Sequence, residues 1–79
     1  MTPTQCRMAR AALELGVREL AEAAKVSTNT VTRFERGEPL RGRTVESLQA
    51  VLETAGVAFI AKERGRGAGV RLRKGRVRQ

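Results

Sequence analysis

Apolar residues in the first 56 positions recur at helical spacing in four short runs, each closed by a glycine or a tight turn. That pattern restricts the chain to short amphipathic helices packed against one another. Thr2 is placed to cap a first helix, with Pro3 in its first turn, where the missing N–H costs nothing. Cys6, Ala9 and Leu13 then follow on one face, up to about Leu15. Gly16 breaks this helix and caps a second one over 17–24, with Glu19 at its third position and Leu20, Ala21 and Ala24 inward. Lys25 and Val26 make a turn, and Ser27 caps a third helix over 28–36. In that helix Val31 and Phe34 face a core, whereas Thr28, Asn29, Thr32 and Arg33 face outward. Gly37 ends it. A polar loop over 38–43, containing Pro39 and Gly42, leads to Thr44 as the cap of a fourth helix over 45–55. Leu48, Val51, Leu52 and Ala55 form the apolar stripe of this last helix, and Gly56 closes it.

The residues available for a core agree with a mainly α fold. There are only two Phe and no Tyr or Trp, so Ala, Val, Leu and Ile must fill the interior. Such side chains suit closely spaced short helices better than a sheet sandwich. Seventy-nine residues give room for one small domain. A core of that size is marginal, which makes dimerisation a reasonable source of extra burial. After Gly56 the period changes: positions 57–60 are β-prone and 70–73 alternate apolar and polar. The Arg/Gly-rich stretch 64–69 between them reads as a flexible turn, and the whole as a C-terminal hairpin. The chain thus divides into a helical unit (1–56), a strand or hairpin extension and candidate dimerisation element (57–73), and a basic tail (74–79) expected to be disordered.

The net charge of +8 is unevenly spread. Residues 1–61 hold eight Lys/Arg against seven Asp/Glu, but residues 62–79 hold eight Lys/Arg against Glu63 alone. A polyanion such as nucleic acid is the natural partner of that tail, and a purely solubilising role is the plain alternative. A membrane is not expected: the tail has no apolar face to insert, and no apolar run approaches the roughly 18 residues of a span. The first five residues lack the layout of a secretion signal, and a single Cys6 builds no disulfide framework, so a reducing cytoplasm is expected. Cys6 has no His to activate it and reads as a small core residue. With no His and no convergent acid pair, catalysis, metal and cofactor are all unexpected. Gly65, Gly67 and Gly69 are followed by no helix and no phosphate-loop lysine pattern.

Two short helices joined by a tight turn, the second polar on its outer face, form a layout that enters a DNA major groove about 12 Å wide. The order Leu20-Ala21, Val26-Ser27, Val31 and Phe34-Glu35-Arg36-Gly37 resembles the Cro/C1-type (XRE) helix-turn-helix family, over roughly 6–57. The resemblance implies a four- to five-helix, lambda-repressor-like DNA-binding domain with a short C-terminal β-strand or hairpin. It implies base contacts from Thr28, Asn29, Thr32 and Arg33. Asn suits adenine N6/N7, Arg suits guanine O6/N7, and a Thr methyl suits thymine. Phosphate contacts are expected from Val17 and Arg18 at the start of the second helix, from Ser27 and Thr30 at the start of the third, and from Arg36, Arg41 and Arg43 beyond it. Arg10 and Glu35 match a family ion pair and are expected to be structural. Two positions depart from the family: Val17 stands where Gln is frequent, and Lys25 where Gly is frequent. A left-handed Lys25 is strained by about 1 kcal/mol.

These readings imply a small homodimeric transcriptional regulator, a repressor more than an activator, bound to double-stranded DNA and therefore to the nucleoid. No small-molecule ligand is expected. The expected dimer contact is the fourth helix with the 57–60 strand, and Arg71, Arg73, Lys74, Arg76 and Arg78 are candidates to follow the phosphate backbone. Two alternatives stay open: an antitoxin that autoregulates its operon, and a basic RNA-associated protein.

Overall fold

A computed structural model describes residues 1–73. It has helices α1 (Pro3–Leu13), α2 (Val17–Ala24), α3 (Thr28–Glu35) and α4 (Gly42–Ala55), then strands β1 (Val57–Ile60) and β2 (Gly69–Leu72). The fold is mainly α, and the two strands form one antiparallel hairpin. No helix among the described residues is long and apolar enough to cross a membrane. The expected basic tail over 74–79, with Lys74, Arg76 and Arg78, lies outside the described residues.

The helix starts follow two different physical devices. At α1, Thr2 Oγ1 accepts from Gln5 N at 3.0 Å while Gln5 Oε1 accepts from Thr2 N at 2.9 Å, a reciprocal cap with Pro3 at the first helical position. Ser27 caps α3 by accepting from Thr30 N at 3.0 Å. At α4 the expectation fails. The helix begins at Gly42 rather than at 45, with Arg41 at the N-cap and no side-chain cap bond; Thr44 lies inside the first turn. Leu40 and Val45 occupy the positions flanking this start, and both lie against the core. That is the arrangement of a hydrophobic staple, so apolar burial rather than a hydroxyl cap fixes where α4 begins. The polar loop is correspondingly shorter than 38–43.

Helix ends differ by a residue or two from the sequence reading. Glu14, not Gly16, terminates α1: it takes a left-handed conformation (φ 56°), and Leu15 N then donates back to Arg10 O at 2.8 Å. This turns Leu15 towards the core, where it is partly buried. Gly16 is extended and serves as the N-cap of α2. The third helix ends at Glu35, with Arg36 as its C-cap and Gly37 at φ 98°, a conformation that favours glycine. Ala55, expected in the α4 stripe, is exposed.

Cys6, Ala9 and Leu13 of α1 meet Leu20 and Ala21 of α2, Val31 and Phe34 of α3, Leu48 and Leu52 of α4, and Val57 of β1 in one core. The hairpin closes its lower side. Its register pairs Val57 with Leu72 and Phe59 with Val70, so these four share one face, and all lie in or against the core. A side chain completes the attachment: Gln5 Nε2 donates to Ile60 O at 3.1 Å and to Gly69 O at 2.9 Å, bridging the two strands where they open into the turn. Within that turn Glu63 and Arg66 exchange backbone hydrogen bonds of 2.9 and 2.8 Å around a left-handed Gly65.

Candidate nucleic-acid interface

The α2–α3 unit carries the predicted reading surface. Lys25 joins the two helices in a left-handed conformation (φ 61°), and Val26 N donates back to Ala21 O at 2.9 Å. This is the strained lysine the turn required, and it sets α3 across α2 in only three residues (25–27). Along α3 the two faces separate sharply. Val31, Phe34 and Glu35 are buried; Thr28, Asn29, Thr32 and Arg33 are exposed. At 100° per residue, positions 28, 29, 32 and 33 fall within an arc of about 140°, and positions 31, 34 and 35 within a separate arc of about 100°.

The exposed side chains differ in what they have left to offer. Thr32 Oγ1 donates to Thr28 O at 3.0 Å, so its methyl and oxygen lone pairs remain for an incoming group. Thr30 is half-buried, and its hydroxyl lies 2.8 Å from Ser27 Oγ, tying both into the cap. Arg33 Nε donates to Glu38 Oε1 at 2.8 Å, and Arg36 Nη2 donates to Glu38 Oε2 at 3.0 Å. These two arginines hold the Glu38 carboxyl below the usual carboxylate range, Arg33 contributing most.

The helix starts nearby offer anions unequal sites. At α2, Val17 and Arg18 supply the free amides expected there, but Glu19 Oε1 accepts from Gly16 N at 2.6 Å and places a carboxylate at the same end. At α4 the first turn contains no acid, Arg41 is the N-cap, and Arg43 is the second helical residue; both arginines are exposed. Cations at a helix N-terminus oppose its dipole, by about 0.3–1 kcal/mol each. They are therefore suited to a partner that brings negative charge.

Arg10 and Glu35 hold this unit to α1. Arg10 Nε and Nη2 donate to the two Glu35 oxygens at 2.7 and 2.8 Å, a bidentate fork, and Nη1 donates to Leu15 O at 3.2 Å. All three guanidinium nitrogens of Arg10 are thus used inside the fold. Cys6 Sγ donates to Glu35 Oε2 at 3.2 Å, and Arg7 Nη1 donates to Glu35 O. Burial pushes the Glu35 carboxyl up, but hydrogen bonds from Arg10 and Cys6 and the nearby charges outweigh it and hold the group below its ordinary value. Burial, then the bond to Glu35, pushes the Cys6 thiol up to about 12, so it remains a donor. Sequence reasoning identified Arg10, Glu35 and the core role of Cys6. It missed Gln5, Arg7 and Glu38, whose partners lie across a helix end or far along the chain.

No family model matches the sequence, and no curated protein matches it.

Proposed function

We propose that the chain is a homodimeric helix-turn-helix regulator of the Cro/C1 type, which binds double-stranded DNA with α3 in the major groove and acts as a repressor. One observation carries this reading. Thr28, Asn29, Thr32 and Arg33 stand exposed together on a short helix whose Val31, Phe34 and Glu35 are buried in the fold. A helix held in this way offers base edges a rigid row of donors, acceptors and methyls, with little side-chain freedom elsewhere to lose. Asn29 reads adenine, Arg33 guanine, and the threonines thymine methyls.

Affinity comes from the flanks. The α4 start, with the guanidiniums of Arg41 and Arg43 beside free amides, grips one phosphate run, and Arg36 adds to it. Arg18 and the α2 amides take the other side less strongly, because Glu19 shares that end. Exposed Arg71 and Arg73 on the hairpin add sequence-independent charge. A second copy docks through α4 and the β1 edge, where Ile60 is the one large apolar side chain left exposed among the described residues. Two recognition helices then lie about 34 Å apart, one turn of DNA.

Selection of bound duplexes from a random pool tests this reading. Enrichment of a short inverted repeat supports it; equal recovery of all duplexes overturns it. Preference for structured RNA in the same assay replaces it with the RNA-associated reading, and co-purification of a small toxin with the native chain adds the antitoxin role.

A further inference from the structure

Glu38 stands between Arg33 of the proposed reading surface and Arg36 of its phosphate-contacting flank. One carboxylate oxygen accepts Arg33 Nε and the other accepts Arg36 Nη2, while the Glu38 backbone N–H donates to Arg33 O at 3.0 Å. The carboxylate is therefore anchored by its own main chain to the residue whose side chain it holds. Stability does not account for the arrangement, because the Arg33 and Glu38 side chains are 46% and 42% exposed, and such surface pairs contribute little. Electrostatics alone argues against an acid here, since Glu38 repels the phosphates that the neighbouring arginines attract. What the carboxylate supplies is geometry. A guanidinium has five N–H donors, and with Nε occupied, the edge formed by Nη1 and Nη2 remains without a hydrogen bond to any described residue. That edge presents two parallel donors, which match the O6 and N7 acceptors of guanine. An unheld arginine loses its rotamer freedom on binding and meets any nearby phosphate equally well; a held one has lost that freedom already.

We infer that Glu38 is a positioning residue, which holds Arg33 by Nε so that its Nη1/Nη2 edge reads a single guanine instead of the phosphate backbone. The inference rests on the proposal that α3 reads DNA. It also gives Glu38 a cost and a gain of opposite kinds: weaker general affinity and sharper discrimination at one base pair.

The test uses the full chain and the duplex recovered by selection, with 7-deazaguanine replacing each guanine in turn. Loss of the N7 acceptor at one position weakens wild-type binding about tenfold, equivalent to about 1.4 kcal/mol. Arg33→Ala abolishes that penalty. Glu38→Ala reduces it to threefold or less, binds scrambled duplex more tightly, and steepens the dependence of log K on log salt by about one unit, because Arg33 is freed for a phosphate. Glu38→Gln, which keeps one acceptor but no charge, shows the same steeper salt dependence while retaining more of the penalty than Glu38→Ala. Far-ultraviolet circular dichroism melts of both Glu38 variants stay at the wild-type temperature, separating positioning from folding. If Glu38→Ala keeps the full penalty, the inference is overturned while the reading of α3 stands. If wild type binds scrambled duplex as tightly as the selected one, both fall together.

Discussion

Replacing Arg10 by Met keeps the aliphatic volume of the side chain but removes the fork that neutralises Glu35. The Glu35 carboxylate is then left charged at 9% exposure, with the Cys6 thiol as its remaining side-chain donor. Stranding one member of a buried pair costs about 3–5 kcal/mol. Arg10 itself is 21% exposed, so the pair is not fully dry and the lower end, about 3 kcal/mol, applies. In a domain of this size that corresponds to a fall in Tm of roughly 12–24 °C. Glu35→Gln costs less, about 2 kcal/mol, because a glutamine oxygen still accepts one Arg10 N–H and the cation has a route to water. Arg10→Met/Glu35→Gln recovers at least about 1 kcal/mol relative to the sum of the two single changes, since neither charge is stranded. Urea unfolding followed by circular dichroism measures all three. Acid adds an independent arm. The folded-state pKa of Glu35 lies below its ordinary value, so its contribution is complete above about pH 4.3 and disappears as pH falls through the lower folded value. Glu35→Gln lacks that acid-labile component. Single variants within about 0.5 kcal/mol of wild type, adding without coupling, refute the role given to this pair.

Further outcomes follow from the same structure. Gln5→Leu strands the carbonyls of Ile60 and Gly69 and removes half of the α1 cap; it lowers stability by about 2–4 kcal/mol, and amide exchange accelerates first in β1 and β2. Lys25→Gly relieves a left-handed lysine at some cost in unfolded-chain entropy, so it raises stability by up to about 1 kcal/mol in urea melts; a loss there contradicts the turn geometry. Burial and Glu35 raise the Cys6 thiol from 9.0 to about 12, so its contribution is full below about pH 9 and is lost as pH climbs towards 12. The stability difference between wild type and Cys6→Ala therefore narrows over that range.

The third helix was legible in the sequence because each level of signal agreed: Ser27 caps, Gly37 stops, and the buried and exposed sets fall on opposite faces. The Arg10–Glu35 pair was legible only through a resemblance, since its members lie 25 residues apart. Where the reading failed, tertiary contacts outweighed local signals. Thr44 is a good cap by type, but burial of Leu40 and Val45 starts α4 earlier. No local signal marks Gln5, whose amide ties down strands 55 and 64 residues away. Glu38 lies beyond the glycine that ends α3, so no helical spacing links it to Arg33.

The claim that α3 reads sequence is tested most directly by competition between the selected duplex and a scrambled duplex of equal length, at one fixed salt concentration. Wild type is expected to prefer the selected duplex by about a thousandfold or more. Asn29→Ala and Arg33→Ala, at exposed positions of α3, each reduce that preference by about 1–3 kcal/mol and leave scrambled-duplex affinity within a few fold. Equal affinity of wild type for both duplexes, or a preference unchanged in both variants, contradicts it.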